Sequence, residues 1–152
     1  KVGFNEKNAI FIINDTKIVT RLLEGEFINY EQIIPREFVT VVKAEREALL
    51  SGLERATIVA KDARNLVKLE IRENDINIKA NSEKGNVNEN VTIKNDGNDL
   101  DINFNVKYLS DALKASSDEY VFLKFVGEIA PAIITPIEGD EYVFLVLPIR
   151  IN

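Results

Sequence analysis

Asp99 and Asp101 are the best-spaced pair of chemically capable side chains in this chain. On a β-strand, residues two apart share a face, so the two carboxylates could converge on a divalent ion and serve a metal-dependent hydrolase. The plainer alternative is a turn followed by a solvated strand edge. Little else could assist catalysis. The chain has no histidine and no cysteine, which removes the commonest general base, the commonest metal ligand, thiolate chemistry and disulfides together. Ser116 and Ser117 have no histidine or lysine placed to activate them, and they read as a helix end. The seven glycines are scattered and form no phosphate-binding pattern. No catalytic constellation, cofactor motif or metal-ligand spacing stands out beyond the one acidic pair.

The other conspicuous feature is the apolar run Tyr142-Val143-Phe144-Leu145-Val146-Leu147, followed by Pro148, Ile149, Arg150 and Ile151. A buried strand accounts for the run itself. It does not account for isoleucines beyond a proline, because proline cannot donate to a sheet ladder. Such residues are either tucked into the core or form the wall of an apolar groove. Alternation along a strand allows both at once, with Leu145 and Leu147 on one side and Val146 on the other.

The elements that must position these residues follow from periodicity. At 152 residues and 45% apolar content the chain can build one ordinary domain with a real core. Net charge is −6 and the pI is about 4.8. That balance argues against a simple nucleic-acid binder, although an acidic exterior is compatible with a locally basic inner face. No apolar stretch is long enough for a membrane-spanning helix. Residues 1–33 read as one hairpin, Ala9 to Ile13 and Lys17 to Leu23 around an Asn14-Asp15 turn. A lone hairpin is marginal in water, so this segment is expected to belong to a preceding domain, with Pro35 at the boundary.

From residue 34 to 152 the pattern is regular. Strand 38–42 precedes a helix over 44–58, whose apolar face is Leu49, Leu50, Leu53 and Thr57. Gly52 weakens that helix slightly. Strands 65–72, 75–80, 88–94 and 100–104 follow. Asn105 is a good N-cap for a helix over 106–115 with Tyr108, Leu109, Ala112 and Leu113 on its apolar side. Strands 120–126, 129–135 and 141–147 complete the chain. The order β-α-β-β-β thus occurs twice, an internal pseudo-repeat of α+β class, with two helices against antiparallel sheets.

Four segments resemble the bacterial DNA polymerase III beta subunit, the sliding-clamp family: Leu145 to Arg150, Arg21 to Pro35, Phe104 to Leu113, and Glu54 to Ala60. They occur in that family's order and span nearly the whole chain. The resemblance implies a DNA-clamp fold, with residues 34–152 as the third clamp domain and 1–33 as the tail of the second. It implies a non-catalytic, cytoplasmic processivity factor without cofactors. Such a protein forms a head-to-tail homodimeric ring that encircles duplex DNA and slides. It tethers the replicative polymerase, the clamp loader and repair proteins through short apolar peptide motifs.

Site residues carry over position by position. The partner-peptide groove would draw Ile28, Gln32 and Ile33 from the junction, Asn105 and Tyr108 from the second helix start, and Pro131 from the penultimate strand. Leu145, Val146, Leu147, Pro148, Ile149 and Arg150 would complete it. Relatives often have proline at position 28 and some have arginine at position 32, so isoleucine and glutamine here could alter peptide preference. Ile58 and Val59 would contact the second subunit. Arg46, Arg55, Lys61, Lys107 and Lys114 would face DNA, touching phosphates loosely enough to permit sliding. Two other readings stay open on the residues alone. One is a free-standing β-rich peptide- or ligand-binding module. The other is the hydrolase built on Asp99 and Asp101.

Overall fold

A computed structural model of the chain describes residues 1–151, which divide into two compact units, Lys1–Ile33 and the segment from Ile34 onward. The first unit is an antiparallel sheet of β1 (Val2–Phe4), β2 (Asn8–Ile13) and β3 (Thr16–Arg21), in the order β1-β2-β3. The hairpin is therefore not alone. A third strand pairs Val2 with Phe11 and Phe4 with Ala9. Three residues are too few to show a periodic pattern. Asn5 supplies the local signal: its side chain accepts from the Lys7 and Asn8 amides at 3.0 and 2.7 Å and folds the chain back. β3 ends at Arg21, two residues before the expected limit at Leu23.

The second unit runs β4 (Thr40–Glu45), α1 (Arg46–Ala60), β5 (Leu66–Ile71), β6 (Asp75–Ser82) and β7 (Gly85–Gly97). It then repeats the order with β8 (Leu100–Asn105), α2 (Val106–Lys114), β9 (Tyr120–Phe125), β10 (Ala132–Pro136) and β11 (Phe144–Val146). All eight strands join one antiparallel sheet, β11-β10-β9-β4-β7-β6-β5-β8. Each repeat lends its leading strand to the other: β4 lies beside β9, and β8 beside β5. β7 joins the two halves, because residues 85–92 pair with β6 and residues 93–97 pair with β4. The helices lie against each other, and a single core takes side chains from both helices and all eight strands. In β5 burial alternates, with Val67, Leu69 and Ile71 facing inward and Lys68 and Glu70 outward.

Several boundaries differ from the sequence expectation. The first strand of this unit is 40–45, not 38–42. Its inward residues are Thr40, Val42 and Ala44, while Lys43 and Glu45 sit outward and hide the pattern. Phe38 lies outside the strand, near the Lys124 ammonium. α1 is displaced two residues toward the C-terminus, and its buried stripe is Leu49, Leu50, Leu53, Ala56 and Ala60, with Thr57 only partly covered. Gly52 has a packing role in it. A Cβ there would stand 2.9 Å from Ile78 Cδ1, so glycine lets the helix approach β6. On α2, Tyr108 is exposed and not part of the apolar side. Ser110 takes an inner position by donating its hydroxyl to Val106 O at 2.8 Å. Among the described residues, no helix is long and apolar enough to cross a membrane.

Candidate functional site

The acidic pair is committed to ion pairs. Asp101 on β8 meets Lys68 and Arg72, each at 2.8 Å, and Arg72 also reaches Asp99 at 3.8 Å. Lys68 bridges on to Glu70 at 2.9 Å, and Glu70 to Lys79 at 2.7 Å. The result is a ladder of alternating charge across the outer face of β8, β5 and β6. The Lys68 ammonium, helped by Arg72 and opposed by partial burial, holds the Asp101 carboxyl below the usual carboxylate range. Lys79 and then Lys68 do the same for Glu70. Among the described residues no group of three acidic side chains could hold a metal ion. The hydrolase reading is therefore not favoured: Lys68 and Arg72 hold the carboxylate that a metal would need. Ser116 is likewise engaged, with its hydroxyl 2.8 Å from the Tyr142 hydroxyl and bonded to Asp118. Burial, and then the Asp118 hydrogen bond, push the Tyr142 phenol up.

The C-terminal wall shows a clean division. Val146 is 5% exposed and joins the core, whereas Leu145 and Leu147 are 36% and 64% exposed. Leu145 lies across from Ile133 in the β10–β11 register, and continuing that register sets Pro131 across from Leu147. Pro148 then ends the pairing. Beyond it the Ile149 amide donates to Asn103 O on β8 at 2.7 Å, so the tail crosses to the far edge of the sheet. Two residues after Asn103, the Asn105 side chain accepts from the Lys107 amide at 3.0 Å and caps α2. Tyr108, in the first turn of α2, is 61% exposed. The tail, the end of β8 and the first turn of α2 therefore converge. Arg150 is exposed at the rim of this region.

Ile133 was missed by sequence reasoning. It is 1% exposed, yet its cross-strand partners, Lys124 and Leu145, place it on the outer face and outside the main core. In Ala132-Ile133-Ile134 no polar residue marks the alternation, so the sequence carries no signal for its face. In the first unit, Ile28, Gln32 and Ile33 are all exposed, and a 3-10 turn at Tyr30–Gln32 sets Ile33 through its amide bond to Tyr30 O at 2.9 Å.

Ile58 is 78% exposed, while Val59 packs partly on the core. Two ion pairs fix this end of α1 to the β6–β7 hairpin: Arg55–Glu89 and Lys84–Asp62, both at 2.8 Å. Residues 85–92 of β7 have β6 as their one strand partner among the described residues, which leaves an open edge on the strand that Arg55 of α1 meets through Glu89.

The five candidate DNA-facing residues separate into two classes. Arg46 is largely spent: its Nε donates to Asp118 O at 2.8 Å and its Nη2 meets Glu47 at 3.1 Å. Arg55 is paired with Glu89 and Lys114 with Glu54, each at 2.8 Å. Lys61 and Lys107 make no ion pair among the described residues.

Comparison with known proteins agrees with this architecture. The family model for the C-terminal domain of the DNA polymerase III beta subunit matches residues 31–150. The beta sliding clamp of Streptococcus pneumoniae serotype 4 is 33% identical over all of this chain and 41% of its own length. That of a Synechocystis strain is 32% identical over 97% of this chain and 38% of its own. The solved DNA polymerase III beta subunit of Thermotoga maritima superposes with a TM-score of 0.88 at 32% identity, covering 99% of this chain and 41% of that one. The putative beta subunit from Eubacterium rectale gives 0.90 at 31% identity, over 99% and 41%. The chain thus spans about two fifths of the length of these relatives. On the match to residues 31–150 and the shared fold, this chain belongs to the DNA polymerase III beta subunit family.

Proposed function

We propose that this chain is part of a processivity factor for DNA replication, acting by binding and topology without catalysing a reaction. Residues 34–152 serve as its third clamp domain and residues 1–33 as the tail of the second. The whole protein closes a head-to-tail homodimeric ring in the cytoplasm. The ring encircles duplex DNA without reading sequence and tethers the replicative polymerase, the clamp loader and repair proteins. Ile58, Val59 and the open edge of β7 suit the subunit contact. The helices, with Arg46, Arg55, Lys61, Lys107 and Lys114, face DNA.

The observation that carries this reading is the exposed pair Leu145 and Leu147 beside the buried Val146. Two large aliphatic side chains stay in solvent on a wall that Pro131, Ile149 and Tyr108 border. An apolar peptide from a replication protein is the fitting occupant, with Asn105, Val146, Pro148 and Arg150 shaping the wall. Burying a ligand leucine there contributes about 1.5–3 kcal/mol, which association costs reduce to a modest net affinity. Titrating isotope-labelled chain with such a peptide tests the reading. Amide shifts should concentrate on 131–133, 145–149 and Tyr108. Shifts elsewhere, or none at millimolar peptide, would refute it.

A further inference from the structure

We infer that two ion pairs between elements, Glu54–Lys114 and Arg55–Glu89, temper the grip of the helix face on DNA and leave Lys61 and Lys107 to make its phosphate contacts. The inference rests on the proposal that the helices face duplex DNA.

Affinity for duplex DNA comes mainly from cations that displace condensed counterions. A lysine already paired with a carboxylate presents little net charge and must break that pair first. Lys114 and Glu54 bridge α2 to α1 at 2.8 Å with both side chains about half exposed, so DNA can reach the pair but meets a neutral group. Arg55 and Glu89 do the same between α1 and β7. Their mutual attraction is visible in the Lys114 ammonium, which Glu54 pushes up, and in the Glu89 carboxyl, which Arg55 holds down.

The two remaining lysines differ. Asp62, beside Lys61, is taken by Lys84 at 2.8 Å, so the charge of Lys61 stays uncompensated. Lys107 stands in the first turn of α2, where the helix dipole adds positive potential, and lines an open groove with Glu54, Thr57, Ser110, Asp111 and Lys114. Among the described residues this face has two unpaired cations, Lys61 and Lys107, and three paired ones, Arg46, Arg55 and Lys114, and such a face binds phosphate weakly, as sliding requires.

The test uses this chain with lysine side chains labelled for NMR and a short DNA duplex at low salt. In the unaltered chain the Lys61 and Lys107 signals should move and that of Lys114 should not. Glu54→Gln should bring Lys114 into the responding set, tighten binding severalfold and steepen the dependence of log K on log salt by about 0.9. Lys107→Gln should flatten that slope by a similar amount. Lys114 responding as strongly as Lys107 in the unaltered chain would overturn the inference. So would an unchanged slope in Glu54→Gln while Lys107→Gln still weakens binding. A duplex that moves no residue of either helix would instead sink the DNA-facing reading beneath it.

Discussion

The two β-α-β-β-β repeats share one plan and end differently. In the first, β7 continues for 13 residues and crosses onto β4, pairing Thr40 with Gly97 through to Ala44 with Ile93. Thr40 reinforces this seam by donating its hydroxyl to Asn98 O at 2.8 Å. In the second, β11 is three residues long, Pro148 interrupts it, and one backbone bond, from Ile149 to Asn103 O, reaches β8. The outer faces differ in the same sense. β8, β5 and β6 carry the ionic ladder, whereas β9, β10 and β11 carry no ion pair among the described residues and expose Leu145, with Leu147 just beyond. An internal repeat gains a binding surface where its symmetry is broken: the repeat that closes fully is structural, and the one that stops short leaves apolar side chains for a partner.

The contrast breaks most severely at the alternating residues of β11. Val146→Asp places an unpaired charge in the core and should cost more than about 4 kcal/mol, enough to unfold much of the population in a denaturant titration. Leu147→Asp, one residue on, should change stability by about 0.5 kcal/mol and abolish peptide binding. Equal destabilisation by the two would mean that Leu147 is core and not wall.

The closed seam is the next point to probe. Gly97 adopts φ +140°, and a Cβ there would stand 2.2 Å from Val39 O. Gly97→Ala should therefore destabilise the chain by about 2–3 kcal/mol, read from the urea midpoint. The open seam should prove weaker. Ile149→Pro deletes the amide that donates to Asn103 O, and a loss of about 1 kcal/mol is expected. If Ile149→Pro costs as much as Gly97→Ala, the two seams are equivalent and the contrast fails.

The smallest effect concerns the ladder. Asp101 and Glu70 have depressed folded pKa values, so their contribution is present above the unfolded carboxylate range near ~4 and is lost as pH falls through the folded values. Melting curves of the unaltered chain and Asp101→Asn should differ at neutral pH and converge in acid. Partial exposure of the pairs keeps the difference small. A gap that persists at the lowest pH would show that Asp101 acts through packing and not through charge.

Residue periodicity alone determined the doubled element order, the Asn105 cap and the alternation that sets Val146 on the opposite side from Leu145 and Leu147, because these are local properties of a strand or a helix turn; which side is buried was decided by the tertiary structure. Boundaries shifted where outward Lys43 and Glu45 obscured β4, and β1 escaped notice because three residues show no period. What the sequence could not decide was every relation between distant segments. The spacing of Asp99 and Asp101 is the same whether a metal or a pair of cations sits between them. Only the β5–β8 register, which brings Lys68 and Arg72 alongside, favours the second. Likewise the five basic residues look alike in sequence. Packing of α1 against α2 and β7 pairs Lys114 with Glu54 and Arg55 with Glu89, and leaves Lys61 and Lys107 without an ion pair among the described residues, because ion pairing depends on approach in space and not on separation along the chain.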